Sequence, residues 1–398
     1  MRRLYPPEKH CELRGEDWSA ARARAAVVEI LRHSVECFDA EGLWPRHPLD
    51  GDDPPRTDFY RGAGGVFWGV SHLSREGWTG EPEGWFGREL LALVERNVVE
   101  QADFDLDASR SYLLGDIPLL MLLYTHQPRA LLAERIFSRL EGALLGPVYE
   151  LMWGIPGCML ATLHMHRATA QDRWIHLYQR QASRLLAAGQ RVPGVGYHWV
   201  SERRGKSFDG LGAVHGLAGN VTALLRGFSF LSAEQQALIL AEVPDTLVAT
   251  AVRDSGRANW PRSTGSNFPW RVHHCHGAPG IVTSLASFPV GVSSALDSLL
   301  LEAGELIHDA GAVRKGPSLC HGTAGNGFAL LSLYVRTGEG RWLERAQRFA
   351  MHALWQVERG RELFSQGRHS LWTGDLGVAI FLNECLRETA RFPTVDVF

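Results

Sequence analysis

Seven times along this chain a glycine is followed, three residues on, by a second glycine or its substitute, and each time an apolar run begins at once. Six copies are complete: Gly62–Gly65, Gly154–Gly157, Gly216–Gly219, Gly277–Gly280, Gly322–Gly325 and Gly374–Gly377. The seventh starts at Gly115, and Pro118 takes the place of its second glycine. Self-similarity recurring every ~40 to 60 residues is the mark of a helical-pair repeat. A glycine pair at a helix entrance lets two backbones approach more closely than any side chain permits.

The segments between the glycines read as amphipathic helices. In "RWLERAQRFAMHALWQV", Trp342, Ala346, Phe349, Ala350, Ala353, Leu354 and Val357 fall on one stripe, with arginines and glutamate opposite. Leu132, Ile136, Leu140 and Leu144 repeat the pattern, and strand signals are sparse. The expected fold is therefore all-α, built from seven helical hairpins. Seven hairpins form either an open solenoid or a closed ring. Closure is expected, because reactive residues recur at equivalent loops and only a ring aims those loops at one centre.

Composition narrows the function. With 45% apolar and 21% charged residues among 398, the chain has the makings of a large soluble core, read as a single domain over 1–398. A net charge of -3 provides no footprint for a polyanion, so nucleic acid is not an expected partner. The N-terminus lacks an apolar signal core and no long uncharged apolar run occurs, so no membrane partner and a cytoplasmic location are expected. Six cysteines without C-x-x-C spacing point to reduced thiols rather than a disulfide framework. Only Lys9, Lys206 and Lys315 are lysine among 41 basic residues, which singles out each of them.

Two glycine loops share the core Cys-His-Gly-x-x-Gly, in "RVHHCHGAPG" (271–280) and "SLCHGTAGNG" (318–327). If the two repeats are neighbours in a ring, Cys275-His276 and Cys320-His321 supply two thiolates and at least one imidazole at the centre. That is a zinc donor set, and three protein ligands leave the fourth tetrahedral position open, as in catalytic sites. Spacing leaves the choice between His276 and His321 undecided. The open position suits a substrate thiol, whose pKa of about 8.5 a metal would lower toward neutrality. His215, just before Gly216, occupies the same repeat position as the other two histidines and suits an acid/base role. The copies at 62, 115 and 374 read as packing alone.

The segments "LGAVHGLAGN", "NWPRSTGSNFPWRVHHCHGAPG", "RKGPSLCHGTAGNG", "YELMWGIPG" and "SYLLGDIPLL" together resemble the lanthionine synthetase C family. The likeness is nearest to its eukaryotic-type, glutathione-binding LanC-like members. The resemblance implies an (α/α)7 toroid, a double ring of seven helical hairpins, with Zn2+ held by Cys275, Cys320 and His321. It implies general acid/base catalysis by His215, a catalytic role for His276, and Glu150 as the nearest match to an acidic residue by the third glycine loop. The implied reaction is addition of a thiol, from glutathione or a peptide cysteine, to dehydroalanine or dehydrobutyrine in a peptide or protein, giving a thioether. Lys315, five residues before Cys320, matches a glutathione-contacting lysine; Arg3 and Arg368 match further glutathione contacts. The alternative is a non-catalytic scaffold that binds zinc and glutathione. Two departures stand out: His274 occupies a position usually held by tryptophan, and Pro118 interrupts the second repeat. No dehydratase precedes these motifs, so the dehydroamino acids are expected to arrive ready-made.

Overall fold

The computed structural model describes residues 4–51, 55–102, 111–266 and 271–398. Fourteen α-helices lie among the described residues. In chain order they are α1 (Ala20–Glu36), α2 (Ala63–Arg75), α3 (Leu90–Ala102), α4 (Ile117–His126), α5 (Ala130–Gly142), α6 (Ile155–Thr169) and α7 (Asp172–Ala188). There follow α8 (Leu217–Arg226), α9 (Ala233–Thr250), α10 (Ala278–Leu285), α11 (Ser294–Ala310), α12 (Thr323–Thr337), α13 (Gly340–Phe364) and α14 (Asp375–Arg387).

Every even-numbered helix follows a glycine loop, and these are the inner helices. They are buried almost all round; in α12 every residue from Thr323 to Leu333 is inside. The odd-numbered helices bury one stripe and show water an arginine- and glutamate-rich face, as α13 does opposite Trp342, Phe349 and Val357. Each inner helix packs on the next, from α2 to α4 and onward to α14, and α14 packs back on α2. The ring is closed, and the expected all-α (α/α)7 toroid is what the chain forms. Its seventh hairpin joins the two ends of the sequence, because α14 takes α1 as its outer partner.

The glycine pairs are explained by how each inner helix is capped. Outer helices α1, α9 and α11 start at serine caps, Ser19, Ser232 and Ser293. Inner helices have none; in five of the seven the first amide reaches back seven residues to a carbonyl of its own loop, as in Ala63 N to Arg56 O (2.8 Å), Thr323 N to Gly316 O (3.0 Å) and Asp375 N to Arg368 O (2.9 Å). The loop therefore lies flat across the first helical turn. A Cβ on the second glycine would sit 1.9 Å from His274 O at Gly280 and 1.8 Å from Leu319 O at Gly325. Gly216 and Gly277 also adopt φ of +150° and +102°, where side chains are strained.

Adjacent loops are laced together around the ring by their backbones. Cys275 N donates to Cys320 O, Cys320 N to Trp372 O, Trp372 N to Tyr60 O, and Tyr60 N to Leu113 O, at 3.0 to 3.3 Å. Across the ring Met152 N donates to Val214 O. All of these residues stand two places before the first glycine of their loop. Beneath the belt, the chain's last segment fills the bore: Phe392 packs on His274, Phe328 and Trp372, and Phe398 on Phe59, Trp68 and His164.

Four two-stranded antiparallel sheets decorate the loop face. β1 (His10–Cys11) pairs with β8 (Ala312–Val313), and β2 (Gln190–Val192) with β3 (Gly196–His198). β4 (Ser201–Arg203) pairs with β5 (Lys206–Phe208), and β6 (Val252–Asp254) with β7 (Arg257–Asn259). No helix among the described residues is long and apolar enough to cross a membrane.

Candidate functional site

The belt places Cys275 and Cys320 side by side, since each occupies the same repeat position and the amide of one bonds the carbonyl of the other. Asn259 fixes the first of these loops. Its Oδ1 accepts from Ala278 N (2.8 Å), capping α10, while its Nδ2 donates to Arg271 O (3.1 Å) and Leu4 O (2.8 Å). The thiols of Cys275 and Cys320 and a ring nitrogen of His321 all lie within 4.8 Å of one another. Cys320 Sγ is 3.7 Å from His321 Nε2, close to the ~3.6 Å that two ligands of one tetrahedral zinc require. Two thiolates and an imidazole, nearly fully buried at the cysteines, fit such an ion. His276 does not join this triad.

The thiols are electrostatically unequal. Burial pushes both up, but Cys320 accepts hydrogen bonds from the Cys275 thiol, the His321 imidazole and the Tyr60 hydroxyl (3.1 Å), which hold it well below an ordinary thiol. Cys275, next to that thiolate, is raised. Of the two, Cys320 is the thiol whose partners favour its ionised form.

His215 projects from the loop before α8 and meets Glu150 from the loop before α6. Its Nδ1–H donates to Glu150 Oε2 at 2.6 Å, and the Trp153 amide donates to Oε1 of the same buried carboxylate. Burial works to lower the imidazole's pKa, yet the Glu150 hydrogen bond and charge, with Cys320 behind them, leave it raised. Nε2 is left for proton exchange. A row of rings links this dyad to the thiolates: His215 to His276 with centroids 5.7 Å apart, His276 to His273 at 6.5 Å, and His273 to His321 at 5.1 Å. Burial, then the charge of His215, pushes His276 down to about 2, so it is a neutral ring, and its buried Nδ1 has no hydrogen-bond partner.

Above His321 opens a cavity of about 490 Å³ lined, among the described residues, by Lys9, Arg271, Arg314 and Lys315 against one acid, Glu8. Lys315 thus stands beside the triad. Arg368 does not line this cavity; it lines an adjoining groove that Lys315 also borders, and its guanidinium is engaged by Asp50 at 3.1 and 3.2 Å. Arg3 lies outside the described residues.

Two residues escaped the sequence reading. Tyr60 bonds Cys320 from the first glycine loop, so that copy is not packing alone. Its repeat position, shared with both cysteines, was the available signal. His273 approaches Cys275 Sγ to 3.3 Å through Nδ1 and lines the cavity with Arg271, whereas only His274 had drawn notice as unusual. His274 packs: it stacks on Phe392 with centroids 4.2 Å apart.

Fold and site together define a closed helical toroid with a cysteine–histidine centre under a basic cavity. Residues 29–397 match the family described as lanthionine synthetase C-like protein. The chain belongs to that family. Over 263 residues it is 29% identical to Glutathione S-transferase LANCL1 of Danio rerio, covering 62% of each chain. Over 213 residues it is 31% identical to LanC-like protein GCL1 of Arabidopsis thaliana, covering 52% of this chain and 47% of that one. The matched stretch thus spans less than two thirds of either relative. Among solved structures, nisin cyclase is similar in fold, with a TM-score of 0.62 at 14% identity over 91% of this chain and 94% of that one.

Proposed function

We propose that the protein, one catalytic toroid over 1–398, is a zinc-dependent enzyme that adds a thiol to a dehydroalanine or dehydrobutyrine residue of a peptide or protein. The observation that carries this reading is the convergence of Cys275, Cys320 and His321 beneath the basic cavity, joined to the His215–Glu150 dyad by the rings of His276 and His273. Cys275, Cys320 and His321 would hold the zinc, which when bound keeps a substrate thiol ionised near neutral pH.

In the reaction a C–S bond forms at the β-carbon, the C=C bond breaks, and one proton moves from sulfur to the α-carbon; there is no leaving group. The raised pKa of His215 keeps its imidazolium available as the proton donor, and Glu150 fixes the ring through Nδ1 so that Nε2 delivers it. Neutral His276 stands between the dyad and the triad, where a hydrogen bond from it would stabilise the developing enolate oxygen. Four cations against one acid suit an anionic thiol, and glutathione, with two carboxylates, is the thiol we favour; the name of the Danio rerio relative points the same way. Lys315 is its principal contact, with Arg368 at the adjoining groove.

The test is mass spectrometry of a dehydrobutyrine peptide incubated with the zinc-loaded protein and glutathione. The glutathione adduct is expected, and its loss in His215→Ala separates catalysis from a binding scaffold. No adduct above the enzyme-free rate overturns the proposal.

A further inference from the structure

The seventh hairpin is formed by α14 and α1, from opposite ends of the sequence, so the ring is closed there without a short connecting loop. Three side chains distant from the central triad converge at that seam. His33 lies in the last turn of α1 and Cys37 is the residue that caps its C-terminus, while His369 comes from the loop ahead of α14. One ligand atom from each, two imidazole nitrogens and Cys37 Sγ, all lie within 4.8 Å of one another. Cys37 Sγ is 3.7 Å from the His33 ring nitrogens. The His33 and His369 rings are parallel within 8°, their centroids 5.0 Å apart, and His369 Nε2 is buried with no hydrogen-bond partner. Gly367 makes the room: a Cβ there would fall 3.2 Å from His33 Cε1 and Nδ1.

We propose that His33, Cys37 and His369 bind a second borderline cation, zinc(II) in the first instance, which clasps the seam of the ring. Two imidazoles and a thiolate are a donor set that zinc prefers, and side-chain shifts of no more than about 1.3 Å bring ligand atoms that lie within 4.8 Å of one another to the ~3.5 Å spacing of a tetrahedral ion. Both imidazoles are neutral at physiological pH, as ligands must be. Burial, with nearby positive charge, pushes His369 to about 3 and lowers His33. The cations facing the cluster are themselves paired: Arg361 with Asp375 (3.2 Å) and Glu29 (3.8 Å), and Arg32 with Glu29 and Glu36. Burial, then the charge of Glu36, holds the Cys37 thiol above its ordinary value against the pull of Arg361 and Arg32, so a bound ion would have to displace its proton. The ion would join α1 to the loop entering α14 and so add to the packing, the Trp372–Tyr60 backbone bond and the Arg361–Glu29 pair that close the ring there.

The full chain, stripped with a chelator, is titrated with zinc and its metal content and melting temperature are measured. Two equivalents are expected. Cys37→Ser/His369→Ala retains one and melts several degrees below the wild-type protein in zinc, with no such difference when both are metal-free. Under cobalt(II), the same variant loses about one third of the thiolate charge-transfer absorbance, since one of three ligating thiolates is gone. Stoichiometry and absorbance unchanged by the double substitution overturn the second site. Failure of the central site instead removes the equivalent that depends on Cys275 and Cys320, so the two readings fail separately.

Discussion

Gly325→Ala tests whether the glycine pairs set the position of the metal ligands. An added Cβ at Gly325 falls 1.8 Å from Leu319 O and 3.2 Å from His274 Cβ. The Leu319 carbonyl must therefore retreat by about 1.5 Å to reach ordinary contact, in a core that absorbs an extra methyl only at about 1–3 kcal/mol. That carbonyl belongs to the peptide whose amide is Cys320 N, bonded to Trp372 O at 3.0 Å. Losing this buried bond adds about 1 kcal/mol, so the expected destabilisation is about 2–4 kcal/mol. The same shift carries Cys320 Sγ out of the triad, and ligands displaced by more than ~0.5 Å are expected to weaken metal binding by on the order of 100-fold. Urea unfolding gives the first quantity and chelator competition the second. Gly360→Ala is the control: it lies inside α13 with nothing within 4 Å of a new Cβ, and is expected to stabilise by about 0.5–1 kcal/mol. If Gly325→Ala matches Gly360→Ala in stability and binds metal as tightly as the parent, the reasoning about the loops is wrong.

Replacing Glu150 by Gln removes the partner that raises His215. A raised imidazole contributes stability that is whole below its unfolded pKa and is lost as pH rises through the folded pKa; its activity as an acid is lost over the same upper range. The alkaline limb of kcat/KM against pH should therefore move to lower pH in Glu150→Gln, and an unmoved limb contradicts the dyad. Tyr60→Phe deletes the 3.1 Å donor to Cys320, so alkylation of the metal-free protein by iodoacetamide at pH 7 should slow several-fold with little change in melting temperature. An unchanged rate means the hydroxyl does not support the thiolate. Lys315→Ala should raise KM for glutathione by about tenfold with kcat nearly constant, an effect that shrinks at high salt. Equal KM at low salt removes Lys315 from the binding site.

The ring was legible in the sequence because close backbone approach at six of the seven loops admits only glycine. Carbonyls such as those of His274 and Leu319 leave no space for a Cβ, so the glycine pair recurs at fixed spacing in every loop but the one that carries Pro118. The paired cysteines were legible for the same reason: they keep a constant distance from those glycines. The split seventh hairpin was not, since α1 looks like any amphipathic helix and its partner lies some 340 residues away. Nor was Tyr60, because a tyrosine ahead of an apolar run reads as core until the belt places it against Cys320. The short β-hairpins escaped notice because three-residue strands carry no alternation long enough to see. Glu150 came only from the family resemblance; its contact with His215 spans 65 residues and two loops, which no local pattern encodes.

The most direct test is anomalous diffraction at the zinc absorption edge, from crystals of the zinc-loaded protein. A peak about 2.3 Å from Cys275 Sγ and Cys320 Sγ and about 2.0 Å from a nitrogen of His321, with His276 beyond bonding distance, is the expected result. No peak among those three side chains, or one ligated by His276 in place of His321, would contradict the account.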